Sequence, residues 1–412
     1  MSRDRKRTID APSSVIVPFQ GSKRKGPSQF QGKKPDLSRK LNVQEKAKKI
    51  DQALVLAKFG QDQFLLPGWT VCNQLLTNDA HPLSTIGYLP VIDASPTDKS
   101  TVNAILEKSL LIANSLNLSA IVLVMDQAIY ARAQEIRWNG RQEFRDQLVI
   151  RLGEFHTAMA FLGAIGKRFG DAGLRDIAIE SNLVAEGSIN GVISGHHYNR
   201  SLRCHKILSE AMHRLRIQEY LDHLSPERNQ EVITVIHSIH DSFPTTFMSC
   251  LETDSVIRFL EDYDRYVKIK CGCNDMYAFW TSYLEMVELL LLFLSGTREG
   301  NWELHLSTIR DMILWFMAYG RINYSRYLPI YYLEMRDLPS THPFIHSRLS
   351  DGELAVKRHD DHGFSMTACD QVIEQTYNRD SKARGGLTGI TLNKGAVRRW
   401  ILSHPARAAI AN

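Results

Sequence analysis

Apolar positions in this chain follow two regimes. Between about residues 55 and 185, short continuous apolar runs alternate with stretches of helical spacing. Residues 120–126, AIVLVMD, predict a strand covered on both faces with Asp126 at its carboxyl end. QAIYARAQEI then predicts a helix, and VIRLGEFHTAMAFLGAIGKRF a second strand, a Gly-Glu-Phe-His turn and another helix. Upstream, IGYLPVID predicts a strand ending at Asp93, and SPTD a helix start with Ser95 as N-cap, Pro96 at the first helical position and Asp98 as the capping-box acid. That helix presents Val102, Ile105, Leu106, Leu110 and Ala113 along one face. Strand, helix, strand predicts a parallel right-handed crossover, placing Asp93 and Asp126 at one sheet edge. Ligands gather beyond the carboxyl ends of strands in such sheets, so both acids fall where chemistry is expected.

From about 186 to 335 the pattern is nearly all helical: SEAMHRLRIQEYLDHL, SVIRFLEDYDRYVKI, YAFWTSYLEMVELLLLFL and HLSTIRDMILWFMAY repeat apolar residues at helical spacing. Residues 336–412 return to short elements: a helix over Asp370 to Arg379, a Gly-rich turn at Arg384 to Gly389 and a basic helix from Lys394. The division predicted is a tail over 1–55, an α/β core over 56–185, a helical region over 186–335 and a carboxyl-terminal segment over 336–412.

With 412 residues, 43% of them hydrophobic and 23% charged, the chain can bury a large core. Residues 1–50 carry 14 Lys and Arg against 4 Asp and Glu, while the whole chain is only +5, so the basic excess is confined to this end. Rich in Ser, Pro, Gly and Gln and including KRK at Lys23 to Lys25, it predicts a disordered leader. It reads either as a solvated extension or as a nuclear-import or nucleic-acid arm. No secretory pattern opens the sequence, which predicts a nuclear or cytoplasmic protein. The apolar run from Met286 is flanked by Glu285, Glu288, Arg298 and Glu299, and predicts a buried helix with no membrane role. Six scattered cysteines fit a reducing compartment; Cys271 and Cys273 have a spacing that zinc sites seldom use. The GHHYNRSLRCH cluster, with His196, His197, Cys204 and His205, suits either zinc or, through Arg200 and Arg203, a phosphate-facing loop, against the default of a packed helix start.

YLPVIDASPTDKSTV, VLVMDQAIYARAQEI, RLGEFHTAMAFLGAIGKRFGDAGL, SINGVISGHHYNRSLRCHKILSEAMHRLR, REGNWELHLSTI, NYSRYLPIYY and DQVIEQTYNRDSKARGGLTGITL together resemble an uncharacterised multicopy domain family of animal and fungal genomes, thought to descend from transposons. The likeness runs over roughly 60–405. More distantly, a strand-end Asp, an Ala-rich helix and a second strand leading to GEFH are similar to Mutator-like cut-and-paste transposases. That similarity implies an RNase H-like mixed α/β sheet core interrupted by a helical insertion. It also implies carboxylates bridging two Mg²⁺ or Mn²⁺ ions about 4 Å apart, for cleavage or strand transfer on DNA.

On that reading Asp126, Glu374 and Asp93 are the candidate metal ligands and catalytic acids. Asp126 is equally a helix cap. In CDQVIEQTYNRD, Asp370, Glu374 and Asn378 form one polar stripe, which is either a site or a solvated face. Glu288 is a rival acid in apolar surroundings. Asp93 sits one strand too late for the first catalytic acid, and the earlier strand expected near FLLPGWTVCNQLL offers only Asn73. Glu154 and His156 lie beside the expected site, His156 orienting a phosphate, shuttling a proton or bonding a neighbouring loop. A remnant without catalysis, acting as a nucleic-acid-binding or protein-interaction module, is the other function the sequence allows.

Overall fold

In a computed structural model, the residues described are 37–59, 66–77, 81–87, 89, 94–359, 363–379, 398 and 402. Their main elements, in chain order, are α1 (Leu37–Phe59), α2 (Lys99–Ser115), β1 (Ile121–Met125), α3 (Gln127–Asn139), β2 (Leu148–Leu152), α4 (Glu154–Phe169), α5 (Tyr198–His223), α6 (Pro226–Ser242), α7 (Asp254–Cys273), α8 (Asp275–Arg298), α9 (Trp302–Ala318), α10 (Ile322–Arg336) and α11 (Cys369–Ile373). α11 runs straight into a wider π-type turn, Glu374–Asn378.

The expected RNase H-like mixed sheet is overturned. Among the described residues only β1 and β2 form a sheet, and the rest is predominantly helical. The two strands are parallel, in register from Ile121 opposite Leu148 to Met125 opposite Leu152. Their Val, Ile and Leu side chains are buried on both faces except the half-buried Val122, as a helix-covered parallel pair requires. The segment expected to be a first strand is instead a helix, Trp69–Leu76, in which Cys72 and Asn73 are buried. The strand expected at 86–93 is absent at Ile86, Gly87 and Leu89, and its remainder, Asp93 included, lies outside the described residues. The helix expected from Ser95 starts later, at Lys99, with Asp98 in the N-cap position. The basic leader expected to run to 55 gives way to α1, which buries Ala53, Leu54, Leu56 and Ala57. The Gly-rich turn at 384–389 and the start of the basic helix at Lys394 lie outside the described residues.

The helices stop and start where side-chain chemistry directs. Asn274 and Asn301 accept from the backbone N–H groups of Tyr277 and Leu304, both at 3.0 Å, capping α8 and α9. Ser225 caps α6, with Pro226 at its first position. Two apolar cores result. The larger surrounds the strands and takes α2, α3, α4, the first half of α5, α8, α9 and α10. The smaller joins α1, the second half of α5, α6 and α7. The 186–335 stretch is thus shared between them. α8 is long and apolar enough to cross a bilayer, yet 67% of its most apolar window is buried inside this fold.

Candidate functional site

Both strands end at the same rim, because they are parallel and in register. β1 delivers Asp126 there and β2 delivers Gly153, whose N–H extends the ladder to the Met125 carbonyl at 2.8 Å. α4 begins at once, so its first-turn N–H groups face the rim without a capping side chain of their own.

The cap arrives from 215 residues away. Asp370 in α11 accepts from the Phe155 N–H through Oδ1 and from the His156 N–H through Oδ2, each at 3.1 Å. The same Oδ2 lies 2.9 Å from Nδ1 of His156. Only 4% of the Asp370 side chain is exposed, against 33% for His156. A negative charge at a helix N-terminus is favourable, and here it also fixes the imidazole, with Nδ1 as donor. Nε2 has no protein partner among the described residues and turns toward solvent. Gly153 makes the approach possible, since a Cβ there would stand 2.2 Å from Asp370 Oδ2.

Burial works against the charged imidazole, but the hydrogen bond and charge of Asp370 outweigh it, helped by Asp126 and Glu374, and the His156 pKa is raised above 6.5. Asp126, Asp370 and Glu374 are thus near enough to act on one ring. Tyr324 of α10 shares this surrounding: burial, then Asp370 and Asp126, push its hydroxyl upward.

These acids do not form a metal centre. Among the described residues no group of three or more His, Cys, Asp or Glu is arranged to hold an ion. Each described carboxylate at the rim also makes a hydrogen bond within the fold. Asp126 Oδ1 accepts from the Ile129 N–H at 2.9 Å, which makes it the cap of α3. Glu374 accepts from the Asn378 amide at 2.7 Å. Asp370 serves α4 and His156. Asp93, the remaining expected metal ligand, lies outside the described residues. Glu288 pairs with Lys48 at 3.5 Å. Nor do the zinc candidates converge: His205 is buried against the Tyr283 hydroxyl at 3.0 Å, and His196 bonds Ser194 at 2.8 Å.

Glu154 turns away from the rim. It is buried in an ion pair with Arg151, whose guanidinium also donates to the Leu354 carbonyl at 3.0 Å and lies 5.5 Å from the centre of the Trp302 ring. Burial pushes the Glu154 carboxyl upward while Arg151 pulls it down. Sequence reasoning passed over Tyr324 and named Asp370 only within the polar stripe, with Glu374 as the candidate acid. Asp370 was visible as the first member of the polar stripe that ends at Asn378, and its place one helical turn before Glu374 was the available signal.

A family model described as a domain of unknown function, DUF8702, matches residues 68–412. The chain belongs to that family. The match takes in both strands, the His156 and Asp370 segments and all of the larger core. No curated protein and no solved structure matches the chain. Within this DUF8702 chain, a second sizeable cleft of about 380 Å³ lies between α1, Trp69 and α5. There burial lowers the Lys206 amine to about 7. Its Nζ sits 4.1 Å from the Trp69 ring centre. Its neighbours Lys58 and Glu210 already neutralise each other at 3.0 Å.

Proposed function

We propose that the strand-end rim is an acid–base site for cleavage of a DNA phosphodiester, with no metal ion held by the described carboxylates. The observation that carries this reading is the His156–Asp370 pair: a partly open imidazole whose Nδ1 is fixed by a buried acid, leaving Nε2 directed outward. The raised pKa favours the protonated ring, whose Nε2–H can donate to the leaving oxygen as the phosphorus–oxygen bond breaks. Glu374 is the carboxylate suited to take the proton of the attacking water. The basic amino-terminal stretch supports DNA as the partner, through phosphate attraction. The motifs shared with mobile-element families support the same class of substrate.

A specific observation favours a second reading. Asp126, Asp370 and Glu374 each make a hydrogen bond within the fold, so the rim also works as a latch in a non-catalytic DNA-binding module. Incubation of the full chain with labelled single- and double-stranded DNA, in EDTA and separately in Mn²⁺, tests the division. Cleavage in EDTA that falls by about 10²–10⁴ in His156→Ala supports the enzyme. Binding without cleavage supports the module.

A further inference from the structure

The other end of α4 carries a different chemistry. A cleft of about 460 Å³ opens there, floored by Gly163 and Gly166 of α4 and by Gly320, and walled by Lys167, Arg175 and Arg321. One carboxylate lines it, Asp171, whose side chain is 99% exposed and reaches Arg175 only at 3.9 Å. Arg321 makes no ion pair among the described residues, and its Nε is buried without a hydrogen-bond partner. Burial holds its pKa below the ordinary value. A guanidinium half withdrawn from water with no anion beside it is costly unless a ligand supplies the charge.

The glycines set the depth of the cleft. A Cβ at Gly163 would stand 2.0 Å from Arg321 Nη2, and one at Gly320 would stand 2.8 Å from Lys167 Nζ. Their absence lets both cations lie against bare backbone, where a compact oxyanion can reach them together. Asn190, whose Oδ1 accepts from Arg175 at 2.8 Å, holds the third cation at the wall.

The cleft is also aligned with the rim. His156, Gly163 and Lys167 are spaced by seven and four residues, which puts them on one face of α4. At 1.5 Å per residue the cleft lies roughly 10–16 Å along the helix from the imidazole.

We propose that this cleft binds a backbone phosphate of the same DNA strand whose reacting phosphate lies at His156, so that α4 is the ruler between anchoring and chemistry. The proposal rests on the acid–base reading of the rim for its register, but the cleft's own charge and shape carry the binding.

The test uses the full chain and a fluorescein-labelled dT12 strand, with binding followed by anisotropy across a salt series. The Lys167→Ala/Arg175→Ala variant should bind roughly tenfold more weakly and lose about 0.7 from the log–log salt slope, one phosphate contact's worth for single strands. Arg258→Ala, which removes an exposed cation on α7, should bind as wild type does. Arg321→Gln should weaken binding in the same direction, with circular dichroism checking that the fold is kept. His156→Ala should retain binding even where it abolishes cleavage, which separates failure at the rim from failure at the cleft. Equal affinity for wild type and Lys167→Ala/Arg175→Ala would overturn the proposal. So would saturation of the cleft by inorganic phosphate with no binding of dT12.

Discussion

Replacing Gly153 by Ala should break the rim through a residue that has no side chain of its own. Its backbone, at φ −65° and ψ 127°, suits any residue, so the effect is steric alone. The added methyl would stand 2.2 Å from Asp370 Oδ2 and 2.6 Å from Cγ, so the carboxylate must swing away and release Phe155 N–H, His156 N–H and the imidazole. Hydrogen bonds to charged groups contribute about 1.5–3 kcal/mol each, and lost helix caps cost about 0.5–2 kcal/mol. Since the three bonds share one carboxylate and are not additive, the expected cost is about 3 kcal/mol. Asp370→Ala should cost about the same, because it removes the same bonds. The double variant is the informative one. With the carboxylate gone, the methyl meets chiefly the remaining Cβ at 3.0 Å, so Gly153→Ala should add little, and the coupling should be about 2–3 kcal/mol. Hydrogen exchange of the Phe155 and His156 amides, with urea denaturation of all four proteins, reads this out. If the two costs simply add, the close approach of Asp370 to the helix start is not what the glycine is for.

The remaining predictions concern charge and packing. Because Asp370 raises the His156 pKa above 6.5, the protonated ring stabilises the fold fully below 6.5, and that contribution fades as pH rises through the folded-state value. The stability gap between wild type and His156→Gln should therefore shrink from about pH 5.5 to about pH 8.5, and a constant gap in denaturation curves would contradict the pairing. Glu154→Ala strands a buried guanidinium and should cost about 3–5 kcal/mol, whereas Arg151→Met/Glu154→Leu should recover most of that loss by urea denaturation. Gly166→Ala would set a Cβ 1.8 Å from the Ile193 carbonyl oxygen, a backbone atom that cannot rotate aside, and should lower the melting temperature well below that of an exposed substitution such as Gly272→Ala.

The parts of the fold legible in the sequence are those fixed by local pattern. AIVLVM is continuous and apolar, and VIRL is apolar apart from Arg151, because helices cover both faces of the pair, and the helical spacing of α5, α7, α8 and α9 is equally plain. Extending one parallel pair to an RNase H-like sheet failed because the apolar stretch near Trp69 was read by its hydrophobicity. It is a short helix that buries Cys72 and Asn73, and only two strands pair among the described residues. At the site, the strand-end position of Asp126 was readable, while the Gly-Glu-Phe-His stretch expected as a turn is the N-cap and first turn of α4. Capping by Asp126 was one of the two roles the sequence left open, and the hydrogen bond to Ile129 makes it the structural one. Asp370 was not readable as the partner of His156, because nothing in a linear pattern says that a carboxylate will cap a helix 215 residues upstream.

That long-range cap has a consequence for biosynthesis. The strands, α4 and every helix of the two cores precede Asp370 in chain order, so a polypeptide still being translated can assemble most of its body with the first turn of α4 uncapped. Its imidazole is then untethered and titrates without its carboxylate. The contact that fixes Nδ1 of His156 is consequently among the last that the growing chain can form.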